Sequence, residues 1–211
     1  MNALWGRVFA ALYDPFLWWG ERRGLGQLRR GLVGQAEGRV LEIGAGTGLN
    51  LMHYSTGVSE LVLAEPEPPM VARLERRLRA DGRPGRIVKA GAERLPFGDG
   101  SFDTVVSTLV LCTVDDPASA LREIRRLLAP GGRLLFLEHV RADDGSRLAR
   151  WQDRLEAPWR AFAYGCRCNR DTLRLLASES FDISRLERAK WRGMVPIAWP
   201  LVVGSAKPTR C

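Results

Sequence analysis

Three groups of residues in this chain have types and spacing that can do chemistry. The first is RVLEIGAGTGLN, residues 39–50, where a short aliphatic run, Val40–Ile43, passes directly into Gly44, Gly46 and Gly48. A glycine turn at the end of a buried strand lets backbone approach a ligand closely. The spacing is G-x-G-x-G, whereas the dinucleotide fingerprint G-x-G-x-x-G would need glycine where the chain has Leu49, so a nicotinamide cofactor loses its pyrophosphate cradle. The second group is Glu65, which ends the next apolar run, Leu61–Ala64. A carboxylate there accepts from both ribose hydroxyls and repels a 2′-phosphate, which favours an adenosine with a free 2′-hydroxyl. The third is Glu138 with His139, near Thr108 and Cys112 at the ends of two later apolar runs. An acid beside an imidazole can steer or accept a proton. Adjacent strand residues point to opposite faces, so His139 reads equally well as a hydrogen-bonded structural residue.

The elements that must position these groups follow from the hydrophobic pattern. After the glycine turn come a strand at Leu61–Ala64, a helix over 70–80, a strand over 86–90 and a continuous apolar strand over 101–111. Leu121, Ile124, Leu127 and Leu128 have helical spacing, and Pro130, Gly131 and Gly132 end that helix before a strand over 133–140. Residues 146–163 predict a helix kinked near Pro158, and 170–180 another. Two final strands, over 183–189 and 196–204, follow with no helix between them and imply an antiparallel hairpin at the sheet edge. The fold class is therefore α/β, a Rossmann-like doubly wound seven-stranded sheet with an antiparallel C-terminal hairpin. Residues 1–34 form an aromatic-rich helical preface, one or two short helices interrupted at Pro15, and 35–211 form the main domain.

Composition sets limits on partners. A chain of 211 residues with 45% hydrophobic and 27% charged residues suits one soluble domain, and no apolar run reaches the ~18 residues of a membrane span. The net charge of +8 is spread along the chain, mostly as arginine, without a basic cluster interleaved with aromatics, which argues against nucleic acid. Cys112, Cys166, Cys168 and Cys211 have neither zinc nor C-x-x-C spacing, so a metal site is not expected and a reduced, cytoplasmic chain is. Cys112 reads as a small hydrophobe lining a pocket.

The motifs together resemble the class I S-adenosylmethionine-dependent methyltransferases: E-x-G-x-G-x-G, an acid after the second strand, A-G-A-E-R-L-P-F at 90–97 (the match starting at Ala90), S-F-D-T-V-V-S at 101–107 and L-A-P-G-G-R-L at 128–134. The resemblance implies S-adenosylmethionine as cofactor. Glu42 would orient the turn and the methionine ammonium, and Gly44, Ala45, Gly46 and Gly48 would bring backbone against the methionine part, with Asn50 and Thr108 beside them. Glu65 would hold the ribose, Pro66 would lie near the adenine, and Gly91, Ala92 and Glu93 would border it. Family members usually carry Asp at the position of Gly91, so the acidic contact to the adenine amine falls to Glu93. Tyr13 would fold over the cofactor as part of an N-terminal lid, or pack in the core, and His53 would help close a helix after the glycine turn.

A closer resemblance runs through T-L-V-L-C-T-V at 108–114, F-L-E-H-V at 136–140 and the stretch containing Trp151, Pro158, Trp159, Gly165 and Cys166. These are similar to the methyltransferase-like 7 family of thiol S-methyltransferases. That resemblance implies methyl transfer to a small hydrophobic acceptor, first of all a thiol, with Glu138 and His139 as the catalytic candidates. Two alternatives stand beside it. Similar bacterial phospholipid N-methyltransferases, acting on phosphatidylethanolamine, carry G-x-G-T-G-L-x-L followed by H-Y, which this chain repeats as Gly44–Leu51 with His53 and Tyr54. A non-catalytic cofactor-binding protein is the other. The tryptophan-rich preface and the positive charge allow peripheral contact with a membrane surface.

Overall fold

The computed structural model describes residues 3–209. Seven strands form one sheet: β1 (Gly38–Ile43), β2 (Val58–Ala64), β3 (Arg86–Val88), β4 (Phe102–Thr108), β5 (Leu128–His139), β6 (Phe181–Lys190) and β7 (Pro200–Pro208). Their order across the sheet is β3-β2-β1-β4-β5-β7-β6. Strands β1 to β5 pair in parallel, while β7 lies antiparallel to both β5 and β6, as the absence of an intervening helix requires. The helices are α1 (Ala3–Gly20), α2 (Gly26–Val33), α3 (Pro68–Asp81), α4 (Pro117–Leu127), α5 (Arg147–Arg154), α6 (Glu156–Phe162) and α7 (Thr172–Ser178).

Alternation along the strands divides the core into two layers. Leu41, Ile43, Val62, Ala64, Val105, Leu134 and Phe136 pack on one face against Leu121, Ile124 and Leu127 of α4 and Leu176 of α7. Val40, Leu61, Leu63, Val106, Leu135 and Leu137 pack on the other against Leu17 of α1, Leu25 just before α2, Leu32 and Val33 of α2, and Leu74 of α3. The first two helices are thus part of the second layer. Local signals set the helix starts: Asp116, Ser146 and Asp171 accept backbone N–H groups of Ser119, Ala149 and Arg174 at the heads of α4, α5 and α7.

Several boundaries differ from expectation, each for a local reason. Helix α1 runs through Pro15 to Gly20, and the break falls instead at Arg23 and Gly24, where Gly24 has φ +129°. Only a single 3₁₀ turn, Leu51–His53, follows the glycine loop where a longer helix was expected. Strand β4 stops at Thr108 because Leu109 turns the chain with φ +60°. The helix over 146–163 is two helices divided at Leu155, and residues 196–198 form a 3₁₀ turn before β7 starts at Pro200.

Phe136 is fully buried at the centre of the α4 layer. Phe136→Ala is expected to cost about 3–5 kcal/mol, lowering Tm by roughly 10 °C in thermal unfolding followed by circular dichroism.

Candidate active site

The strand order reverses between β1 and β4, and the carboxyl ends of strands on either side of such a point form a natural crevice. A cavity of about 410 Å³ opens there, within the range of small-molecule sites. Its floor at one end is the glycine turn. Gly44 and Gly46 adopt φ of +55° and +56°, which side-chain-bearing residues rarely do. A Cβ on Gly44 would lie 2.6 Å from Val110, whereas one on Gly46 would meet nothing nearer than 3.9 Å, so the bare Cα of Gly46 faces open cavity. Gly48 serves a different purpose: a Cβ there would come within 2.8 Å of Leu74, so this glycine admits α3 and does not line the cavity.

Glu65 stands beside this turn and is locked by it. One oxygen accepts from Gly46 N–H at 2.8 Å and the other from Glu67 N–H at 2.9 Å. Burial raises its pKa and these two N–H groups oppose the rise. Pro66, Gly91, Ala92 and Glu93 continue the same wall.

Behind the glycine turn is a small polar recess lined by Tyr13, Arg29, Glu42, Ala45, Asn50 and Thr108. Glu42, 1% exposed, accepts from Asn50 Nδ2 at 2.8 Å and from the Tyr54 hydroxyl at 2.7 Å. Desolvation pushes its pKa up to about 7, against those two hydrogen bonds and the Arg29 charge. Arg29, 2% exposed, reaches in from α2 and donates to Asn50 Oδ1 at 3.1 Å, Thr108 Oγ1 at 2.9 Å and Glu21 Oε1 at 2.9 Å. Sequence reasoning missed Arg29. The available signal was its helical spacing between Leu25, just before α2, and Leu32, a buried stripe on which an arginine needs a buried partner.

The expected catalytic pair is not a pair. Glu138 shares the β5 face of Leu134 and Phe136, is fully buried, and does not line the cavity. Its carboxylate accepts from Ser107 Oγ at 2.6 Å and from the backbone N–H groups of Val110 and Cys112 at 3.1 and 3.4 Å. Lying off the cavity and turned toward these donors, Glu138 shapes the turn after β4, out of reach of a bound acceptor. His139 does face the cavity. Burial depresses its pKa to about 4, which leaves the imidazole neutral at physiological pH, and its Nδ1 has no partner. The ring lies 5.2 Å from that of Trp191. The indole N–H groups of Trp191 and Trp159, both on the cavity wall, are also buried and unpartnered. Cys112 lines this end, as expected, together with Leu109, Val110 and Cys166.

Helix α1 roofs the cavity with Phe9, Tyr13, Phe16 and Leu17. Asp14 fixes it by accepting from Thr47 Oγ1 and Arg77 Nη2, both at 2.6 Å. Phe9 stacks on Tyr164 at 4.9 Å, and the Tyr164 hydroxyl donates to Glu67 at 2.6 Å. Outward, α1 exposes Leu12, Trp18 and Trp19, and its Phe16 meets half-exposed Phe162 of α6 with ring centroids 5.7 Å apart. Among the described residues no helix is long and apolar enough to cross a membrane.

The donor set fits a zwitterionic amino acid joined to a nucleoside: an acid and a guanidinium in the recess, bare glycine backbone between, and a carboxylate beside the adjoining wall. Comparison with known proteins agrees. Residues 41–136 match the family model described as a methyltransferase domain. Human thiol S-methyltransferase TMT1B is 36% identical over 196 residues, covering 88% of this chain and 78% of that protein. Demethylmenaquinone methyltransferase of Thermus thermophilus is 41% identical but over 49% of this chain and 48% of its own length. An S-adenosylmethionine-dependent methyltransferase of Thermotoga maritima shares the fold with a TM-score of 0.70, at 23% identity, over 96% of this chain and 97% of its own. The chain is a member of the S-adenosylmethionine-dependent methyltransferases and belongs, within them, to the family of the thiol S-methyltransferases.

Proposed function

We propose that this enzyme methylates the sulfur of a small hydrophobic thiol. The observation that carries the reading is one continuous cavity whose glycine and Glu65 end suits the cofactor and whose other end is apolar and aromatic around a neutral imidazole with its Nδ1 unpartnered. Its support among relatives is the similarity to thiol S-methyltransferase TMT1B, which extends well beyond the cofactor-binding half. S-adenosylmethionine, when bound, supplies a methyl group activated by its sulfonium.

The protein's part is alignment, exclusion of water and disposal of one proton. In this reading Arg29 and Glu42 hold the carboxylate and ammonium of the methionine end, Glu65 the ribose, and Pro66 with Gly91, Ala92 and Glu93 the adenine. Tyr13 and its neighbours on α1, within residues 1–34, act as the lid. His139 Nδ1 accepts the S–H hydrogen bond of the acceptor and so aims a sulfur lone pair. An imidazole with a pKa near 4 is a poor base toward a free thiol at ~8.5. As sulfur takes up the methyl, however, its remaining proton becomes far more acidic, and a weak neutral base suffices to remove it. The exposed apolar side chains of α1 and α6 beside the lip suit peripheral contact with a membrane that stores hydrophobic acceptors.

Incubation with S-adenosylmethionine and either small thiols or phosphatidylethanolamine liposomes, read by mass spectrometry, separates the candidates. Methylated thiol is expected; methylated lipid without methylated thiol would overturn the proposal, and cofactor binding without either product would indicate a non-catalytic protein. His139→Gln is expected to lower kcat for the thiol by about 10²-fold or more while calorimetry shows unchanged affinity for the cofactor. For Glu42, whose carboxyl holds its proton up to about pH 7, ionisation favours the cofactor's ammonium. Cofactor affinity should therefore rise between pH 6 and 8 and level off above, a dependence that Glu42→Gln abolishes in calorimetric titrations across that range.

A further inference from the structure

The acceptor end of the cavity contains two nucleophiles that methyl transfer does not use. Cys112, in the turn after β4, and Cys166, in the turn after α6, both line the cavity wall, with their sulfurs 3.7 Å apart. Their backbones are held side by side. Arg167 N–H donates to the Cys112 carbonyl at 2.8 Å, and the Arg170 guanidinium donates to the carbonyls of Leu111 and Val114 at 2.5 and 2.7 Å. Gly165, with φ +96°, makes the left-handed turn that leads into Cys166, a conformation that side-chain-bearing residues rarely adopt. Closing the remaining gap to a bond of about 2.05 Å needs a side-chain movement of under 2 Å.

We propose that Cys112 and Cys166 form a dithiol that undergoes thiol–disulfide exchange with small disulfides entering the acceptor cavity, the oxidised counterparts of the thiol acceptors. The proposal rests on the thiol reading above. The two cysteines are not equivalent. Cys166 is the more accessible, at 8% against 1%, and its pKa is lowered by the Cys112 hydrogen bond; Cys112 is pushed up by the shared hydrogen bond and by burial, beside Glu138. Cys166 is therefore the attacking thiolate and Cys112 the resolving thiol.

In the first step Cys166 S⁻ attacks one sulfur of R–S–S–R, forming Cys166–S–S–R and expelling RS⁻, which takes a proton from water. In the second, Cys112 attacks Cys166 Sγ; the Cys112–Cys166 S–S bond forms, the S–S bond between Cys166 Sγ and the SR group breaks, and RS⁻ leaves with the proton that Cys112 gives up. Two protein thiols are oxidised, one disulfide is reduced, and two RSH are released where a methyl acceptor is needed. The bond also joins the turns on either side of the acceptor end, so methyl transfer slows until a reductant reopens it.

The test uses the whole protein and hydroxyethyl disulfide, with peptide mapping by mass spectrometry in the native state. The expected result is a Cys112–Cys166 linked peptide, reversed by dithiothreitol. In Cys112→Ala, a mixed disulfide should accumulate on Cys166, and Cys166→Ala should form neither product. Retention of both free thiols in the native wild-type protein, or modification confined to Cys168 and Cys211, would overturn the proposal whatever the variants do. Methylation of 2-mercaptoethanol is measured on the same samples: methylation without the linked peptide counts against the exchange site alone, and the linked peptide without methylation counts against the thiol-methyltransferase reading alone.

Discussion

The arrangement at the carboxyl ends of β1 and β4 depends on a buried charge that must be satisfied. Arg29 is almost completely removed from water, and its guanidinium brings five N–H donors and no acceptor into that dry setting. Its guanidinium is compensated by Glu21 on one side and by Asn50 and Thr108 on the other, and Asn50 passes the interaction to Glu42. Breaking such a network by removing one member leaves the others desolvated without partners, at about 1–3 kcal/mol for each neutral group and more for a charge. One set of contacts therefore fixes α2, the end of β1, the glycine turn and the end of β4 relative to one another. The recess they enclose has one positive and one titratable acidic side chain, already dry and already aimed.

The rest of the cavity is arranged around that anchor. The same β1 turn that positions Glu42 also bonds Glu65, so both polar wells share one rigid piece of backbone. Glu138 performs a comparable service on the other side: by binding the N–H groups of Val110 and Cys112 it holds the left-handed turn at Leu109 and presents the apolar wall of the acceptor end. The roof is attached through Asp14 and through the Phe9–Tyr164–Glu67 chain, contacts of side chains with side chains across distant segments. Such contacts are fewer and more polar than those of the sheet core, which suits a helix that admits and retains a ligand.

Much of this was legible in the residues. The parallel strands announce themselves as continuous apolar runs, the glycine spacing excludes a dinucleotide, and the lack of a helix between the last two strands predicts the antiparallel edge, all of which are local or periodic properties. Gly44, Gly46, Glu65, Pro66, Gly91, Ala92 and Glu93 come to the cavity because they follow strand ends, and topology places strand ends together. Gly48 was misread because a glycine needed for close helix packing and one needed for ligand approach look alike in sequence. Pro15 was misread because its local cost, about 3 kcal/mol in a helix interior, is outweighed by the packing of α1 on the domain.

Sequence alone determined the α/β class, the site at strand ends and the family's cofactor, because period, turn chemistry and motif order are properties of short segments. Only the tertiary structure decided which polar side chains serve the cavity and which serve the fold. Glu138 and His139 are neighbours in the chain, yet the pleat of β5 sends one into a backbone-capping role and the other to the cavity wall. Arg29 enters the site from a helix that precedes every motif, and Cys166 meets Cys112 although the two stand 54 positions apart in the chain. Burial and partnering are set by what packs around a group after the chain has folded, and a linear pattern carries no record of the distant segment that supplies it.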